Sequence, residues 1–331
     1  MTSAAEDIHT QAVLHRIALN RHSTALVRKV LAQLNRVDAD LVARILRADN
    51  EGRDPRQLER MLEEIRALQA DGWTVLRSRL NTDLDALAGA ELDFAERLVR
   101  LGSTAASVDA IATAPSTAQV IAAVNSRPFQ GRFLRDWLSE AEEGAAKRVR
   151  ETVRQGFIEG RSVAEIARLI RGTRALQYRD GILEISRRGA EAMVRTAVTH
   201  VSAVASQETY AAMGDLVVGV EWVSTLDGRT TVICAGRDGK VYPLDSGPRP
   251  PAHVNCRSTT IPRIRGVEPV ERQTYAEWLR KQPAEVQDDI LGVAKAKLFR
   301  AGKLTLDRFT DRAGRVLTLD QLKKRDAEAL P

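Results

Sequence analysis

Apolar residues that return every three or four positions run through residues 10–98, and this spacing constrains the chain more than any other feature. It matches the 3.6-residue turn of a helix that buries one face. From Thr10 to Arg47 the buried stripe is read as Val13, Ile17, Val27, Val30, Leu31, Leu34, Leu41 and Ile45. Turn formers from Asp49 to Pro55 interrupt it, and Asp54 ahead of Pro55 reads as an N-cap with proline in the first helical position. Leu58, Leu62, Ile65 and Leu68 continue on a second helix. A break is expected at Asp71-Gly72, then a further helix through Leu76, Leu80, Leu84, Leu87, Leu92 and Leu98. Aromatic residues make up only 4% of the chain, which favours close-packed helices over a sandwich or barrel. The N-terminal part is therefore expected to be a helical hairpin or bundle.

Between Gly102 and Ser116 the composition turns to Ala, Ser and Thr with Pro115, and a boundary is placed there. Helices resume at Ala118 to Val124 and at Phe133 to Val153. The stretch Gly156 to Ser162 ends the second of these at a glycine and starts another, with Ser162 and Glu165 in capping-box positions. Read as a helix-turn-helix, Ser162 to Arg171 would be a DNA-reading helix carrying Arg161, Arg168 and Arg171; solvated arginines at a helical corner account for the same pattern.

A long helix is expected from Ile182 to Ala212, with Ile185, Ala192, Val194, Ala197, Val201 and Val204 buried. From Leu216 to Val223 β-branched and aromatic residues spell a strand, closed by a turn at Asp227-Gly228. Further strands are expected near Thr231 to Ile233, at Lys240 to Pro243 after Asp238-Gly239, and at Ser258 to Ile261 after the proline-rich loop Gly247 to Pro251. Thr274 with Glu277 caps a later helix, Pro283 starts another, and Gly302 closes it. The expected fold is α+β and predominantly helical. A helical bundle or hairpin (residues 1–114) precedes a module of helices and a small β-sheet (115–265) and a short helical tail (266–331).

The formal charge of +6 is a mild bias, because 44 acidic residues are interspersed with 50 basic ones. Two cysteines cannot form a disulfide framework, and Met1 to Thr10 lacks the basic patch and apolar run of a secretory signal, so synthesis in a reducing cytoplasm is expected. No stretch approaches the roughly 20 apolar residues of a membrane span.

One cluster of residue types can carry chemistry: Asp227, Cys234, His253 and Cys256, with His200 on the preceding helix. His253 and Cys256 stand at knuckle-like spacing after Cys234, and two thiolates, an imidazole and a carboxylate would complete a tetrahedral zinc site. Buried apolar thiols, or a disulfide, fit the same residues. Walker-type, dinucleotide-binding and serine-elbow motifs are all missing, so no catalytic residue and no organic cofactor is assigned.

In this region the sequence resembles the phage head morphogenesis family, the Mu F-like minor head proteins. The resemblance rests on Val194-Arg195-Thr196, Glu221-Trp222, Asp227-Gly228-Arg229-Thr230, Cys234, Asp238-Gly239, Pro250-Pro251 and His253-Val254-Asn255-Cys256-Arg257, and it spans about Arg148 to Arg263. Two positions depart from the family pattern: Thr231 stands where the family has its first cysteine, and Ser258 where a cysteine follows the arginine. Any four-cysteine metal site is therefore lost. What stays intact suggests that an ion pair from Asp227 to an arginine, together with packed thiols, holds the β element.

The resemblance implies a structural minor head protein of a tailed bacteriophage, made in the bacterial host cytoplasm and carried in the virion head. Portal, scaffold or capsid proteins of the same phage are the implied partners, with non-specific contact to packaged double-stranded DNA. The N-terminal helices would serve as a docking arm, and the C-terminal module is expected to fold after residues 1–50 are removed. The alternative is a nuclease or transferase delivered with the genome and centred on His253 and Asp227, with Arg195 and Arg229.

Overall fold

A computed structural model describes residues 3–48, 55–103, 114–311 and 314–327. Helices α1 (Ala4–Arg47) and α2 (Pro55–Leu101) come first. They are followed by α3 (Thr117–Ser126), α4 (Leu134–Ile158), α5 (Val163–Arg171) and α6 (Ile182–Ala212). Strand β1 (Val217–Val223), helix α7 (Val232–Arg237), β2 (Val241–Tyr242) and β3 (Thr259–Ile264) form the β region. The tail holds α8 (Tyr275–Arg280), α9 (Ala284–Leu291), α10 (Val293–Arg300), a 3-10 turn (Leu306–Phe309) and α11 (Leu319–Arg325). The chain is thus α+β and predominantly helical. The expected cap at Asp54 and most of the boundary after Gly102 lie outside the described residues.

Four local expectations are corrected. On α1 the buried stripe runs through Ile8, Ala12, Arg16, Leu19, Ser23, Leu26 and Val30, while Val13 and Ile17 are exposed. The stripe keeps its helical period but passes through one arginine and one serine, so hydrophobicity alone put its start one residue out of phase. Helix α2 does not break at Asp71-Gly72. A Cβ at Gly72 would lie 2.2 Å from Val37 Cγ2, so the glycine lets two helices approach rather than ending one. Ile185 is exposed because it lies two residues, about 200°, round the helix from buried Leu183. Thr231 to Ile233 is not a strand: Thr231 is the N-cap of α7, and its carbonyl accepts from Ala235 N at 2.9 Å.

The chain divides into two compact units. One comprises Met1–Asn20, Leu87–Val124 and Thr199–Pro331, the other Arg21–Ala86 and Asn125–Val198. In the second unit Leu41, Val42 and Ile45 of α1 and Met61, Leu62 and Ile65 of α2 close on Val149 and Val153 of α4 and on Val163, Ile166 and Ile170 of α5. Ser162 caps α5 by accepting from Glu165 N, and the Glu165 carboxylate accepts in return from Ser162 N at 2.7 Å. The apolar face this cap launches is what α5 buries.

In the first unit the strands are antiparallel in the order β2-β1-β3, with a bulge in β1 between Val217 and Gly219. Ile8 and Ala12 of α1, Leu98 and Val99 of α2, and Tyr210 and Met213 pack with Val217, Val220, Ile261 and Ile264 of the sheet. The first helix is therefore not an arm that can be removed from a self-sufficient module. Deleting Ile8 and Ala12 strips core side chains whose loss costs about 2–5 kcal/mol per large residue. A further cluster joins Ala235 of α7 to Tyr275, Leu279, Leu291, Phe299, Leu306, Phe309 and Leu322, which docks the tail. At Gly236 a Cβ would stand 2.9 Å from Asp307 Cα, so the tail backbone lies directly on α7.

Candidate functional site

Helix α7 is held on two sides. Ala235 belongs to the tail core, while Cys234 packs with Trp222 of β1 and Cys256, all three nearly fully buried. The loop between β2 and β3 supplies the other groups. His253 and Cys256 bracket a tight turn closed by Cys256 N–H donating to His253 O at 3.1 Å. Asn255 takes a left-handed conformation there (φ +62°), which asparagine accepts more readily than most residues. The H-x-x-C spacing is thus the geometry of one turn, which returns both side chains to the same place.

Cys234 Sγ lies 3.2 Å from His253 Nε2 and 3.7 Å from Cys256 Sγ, and the ligand atoms of these three residues all fall within 4.8 Å of one another. Both cysteines are free thiols. His253 Nδ1 contacts its neighbour's carbonyl, Val254 O, at 2.8 Å, so a proton on Nδ1 leaves Nε2 as the acceptor that faces the thiols. The Cys256 thiol is held well below its ordinary value by the hydrogen bond from Cys234 and, against burial, by His253. The Cys234 thiol is pushed up by that same hydrogen bond and by burial. Burial lowers the His253 pKa, but contact with Cys256 outweighs it and the net direction is up.

Sequence reasoning missed Arg16. Its guanidinium, on α1, donates from Nη2 to Thr199 Oγ1 and to Cys256 O, both at 3.1 Å, while Thr199 Oγ1 donates to the same carbonyl at 2.8 Å. Burial pushes the Arg16 pKa down to about 10, so the cation persists at neutral pH. A continuous polar and apolar phase of Ile8, Ala12, Arg16 and Leu19 was the available signal. Ser224 is a second omission: it accepts from Trp222 Nε1 at 3.0 Å and donates to Cys234 O at 2.8 Å.

Asp227 stands outside the thiol cluster. Its carboxylate receives Arg257 through Nη1 and Nη2, both at 2.6 Å, and Arg229 N at 2.9 Å. Thr230 Oγ1 donates to Thr225 O at 2.5 Å, and Tyr275 Oη of the tail donates to Asp227 O at 2.9 Å. These bonds fix the turn after β1 and tie it to the start of β3. Arg195 and Thr196 belong to the second unit, where Arg195 donates to Glu191 at 2.9 Å and Thr196 Oγ1 to Ala192 O at 2.6 Å. His200 Nε2 meets Val124 O at 3.1 Å.

A buried ionic group joins β1, the end of α7 and the segment before α8. Arg272 donates to Glu221 at 2.9 Å, to Asp238 at 3.0 and 3.2 Å and to Trp222 O at 3.1 Å. Asp238 also accepts from Ser224 N at 2.7 Å and Tyr275 N at 2.8 Å. One arginine therefore fastens the tail to both β1 and α7.

Residues 147–261 match the family described as Phage Mu protein F like protein. The chain is also 27% identical, over 178 residues, to the NAD(+)--arginine ADP-ribosyltransferase EFV of Enterococcus faecalis (strain ATCC 700802 / V583). That likeness covers 46% of this chain and 35% of the transferase, so the chain spans about a third of the length of that relative. No solved structure matches. Among the described residues no helix is long and apolar enough to cross a membrane.

Proposed function

We propose that this chain, whose residues 147–261 match the Phage Mu protein F like family, works as a minor head protein of a tailed bacteriophage. The family match is the observation that carries the reading. The module supports it physically, because several of its polar groups are tied to each other or to the tail: Asp227 to Arg257, Asp238 and Glu221 to Arg272, Ser224 to Trp222 and Cys234. Such a body suits a fixed part of an assembly. Its partners are the portal, scaffold or shell proteins of the same phage, and the mild excess of positive charge suits non-specific contact with packaged DNA. Val13, Leu14 and Ile17 stand exposed together on α1 and are the face we assign to a head-protein partner.

A stop codon in this reading frame, with the rest of the phage genome intact, should lower the yield of DNA-filled heads, and supplying the chain in trans should restore it. Unchanged yields of infectious particles would reject a role in head assembly. The likeness to an arginine ADP-ribosyltransferase favours one second reading, a transferase carried by the phage with His253 as its candidate residue, Asp227 being held by Arg257. Labelled NAD transferred to an arginine-containing acceptor, and lost in His253→Ala, would support that reading in place of the first.

A further inference from the structure

We propose that Cys234, His253 and Cys256 form a three-ligand site for a thiophilic divalent cation, with zinc as the natural ion. The spacing carries the argument. A tetrahedral zinc ion with Zn–S near 2.3 Å and Zn–N near 2.0 Å places two sulfurs about 3.8 Å apart and a sulfur and a nitrogen about 3.5 Å apart. The distances here are 3.7 Å for Cys234 Sγ to Cys256 Sγ and 3.2 Å for Cys234 Sγ to His253 Nε2. A disulfide would need about 2.05 Å. Both separations from Cys234 lie within about 0.3 Å of the edges of such a tetrahedron, and all three ligand atoms fall within 4.8 Å of one another.

The outer contacts fit the same purpose. The 2.8 Å contact of His253 Nδ1 with Val254 O fixes the ring and turns Nε2 toward the sulfurs, as a carbonyl bonded to the far ring nitrogen does for a ligating histidine. Arg16 and Thr199 bind the backbone carbonyl of Cys256, which orients that residue and leaves its sulfur available. Binding releases the thiol protons, and two thiolates with a neutral imidazole make a divalent ion electrically neutral in a largely buried place. Asp227 is not a ligand, because both its oxygens are taken by Arg257. The fourth corner goes to water or to a donor from outside the chain, since three protein ligands leave one position open. The ion would brace α7 to the β2–β3 loop, whose cysteine spacing alone does not cross-link them.

Titrating the full chain with cobalt(II) under a phosphine reductant tests this directly. The expected result is one ion per chain, with a near-ultraviolet thiolate-to-cobalt band and the visible bands of a tetrahedral centre, displaced by zinc. Cys234→Ser and Cys256→Ser should lose the thiolate band. His253→Gln should weaken binding by more than the roughly 10–100-fold that loss of an outer-shell group costs, while Asp227→Asn should bind as the native chain does. Absence of the thiolate band in the native chain would overturn the proposal even if a cysteine variant failed to fold. A band of full intensity in the folded double serine variant would overturn it equally.

Discussion

Replacing Arg272 by methionine removes the group that joins the tail to the sheet, and the structure sets the size of the effect. Arg272 is mostly buried, and it meets Glu221, Asp238 and Trp222 O at 2.9–3.2 Å. Removing one partner of a buried ion pair typically costs about 3–5 kcal/mol, because the charge left behind has lost both its partner and its water. Here the remaining groups are not wholly abandoned: Glu221 keeps Arg263 at 3.3 Å, and Asp238 keeps the amides of Ser224 and Tyr275. The expected loss therefore lies near the lower bound, about 3 kcal/mol. Arg272→Lys should recover only part of it, since one ammonium cannot replace a fork that serves two carboxylates and a carbonyl. Equilibrium urea unfolding, followed by circular dichroism and tryptophan fluorescence, gives the difference in unfolding free energy. A loss below about 1 kcal/mol for the methionine variant would refute the claim that this cluster fastens the tail.

Three further outcomes test other parts of the account. Burial pushes the Asp38 carboxyl up to about 6 from its usual 3.8, against the pull of Arg187. Because the folded value is the higher one, the associated stability is complete below about 3.8 and is lost as pH rises through about 6, so charged Asp38 costs about 3 kcal/mol at neutral pH and above. The stability advantage of Asp38→Asn should accordingly shrink by about 2 kcal/mol between about pH 7.5 and about pH 4.5 in thermal melts, and parallel curves would exclude it. Gly72→Ala gains about 1 kcal/mol of helix propensity but drives a methyl into Val37 at 2.2 Å, so it should destabilise by about 1–3 kcal/mol, and Val37→Ala in the same chain should relieve the clash. Ser162→Ala removes the acceptor for Glu165 N and should lower stability by about 1 kcal/mol, while Ser162→Asp should keep most of it.

Much of this fold is legible in the sequence because its signals are local. The bounds of α6, the capping boxes at Ser162 and Thr274, and the strand at Val217 follow from periodicity, cap chemistry and β-branching within a few residues. The failures share one cause, which is that a tertiary partner decides. Gly72 reads as a stop signal and is instead the point where Val37 needs room. Val232 and Ile233 read as strand, but the α7 helix closes through the Thr231 carbonyl. Arg16 is passed over in the apolar stripe of α1 and is instead buried, donating to the Cys256 carbonyl 240 positions away in sequence. At the site, the grouping of Cys234, His253 and Cys256 can be inferred from residue types and one turn length. The expected ion pair from Asp227 to an arginine is made with Arg257, but that it takes Asp227 out of the ligand cluster depends on which way a β turn faces, and spacing carries no record of that.

The central claim is that this chain belongs to a phage head, and the direct measurement is quantitative mass spectrometry of purified mature particles against labelled peptides of this chain and of the portal protein. The account predicts that the chain is present at a low and fixed ratio to the portal ring in every preparation. Its absence from mature particles and from assembly intermediates alike would contradict the account.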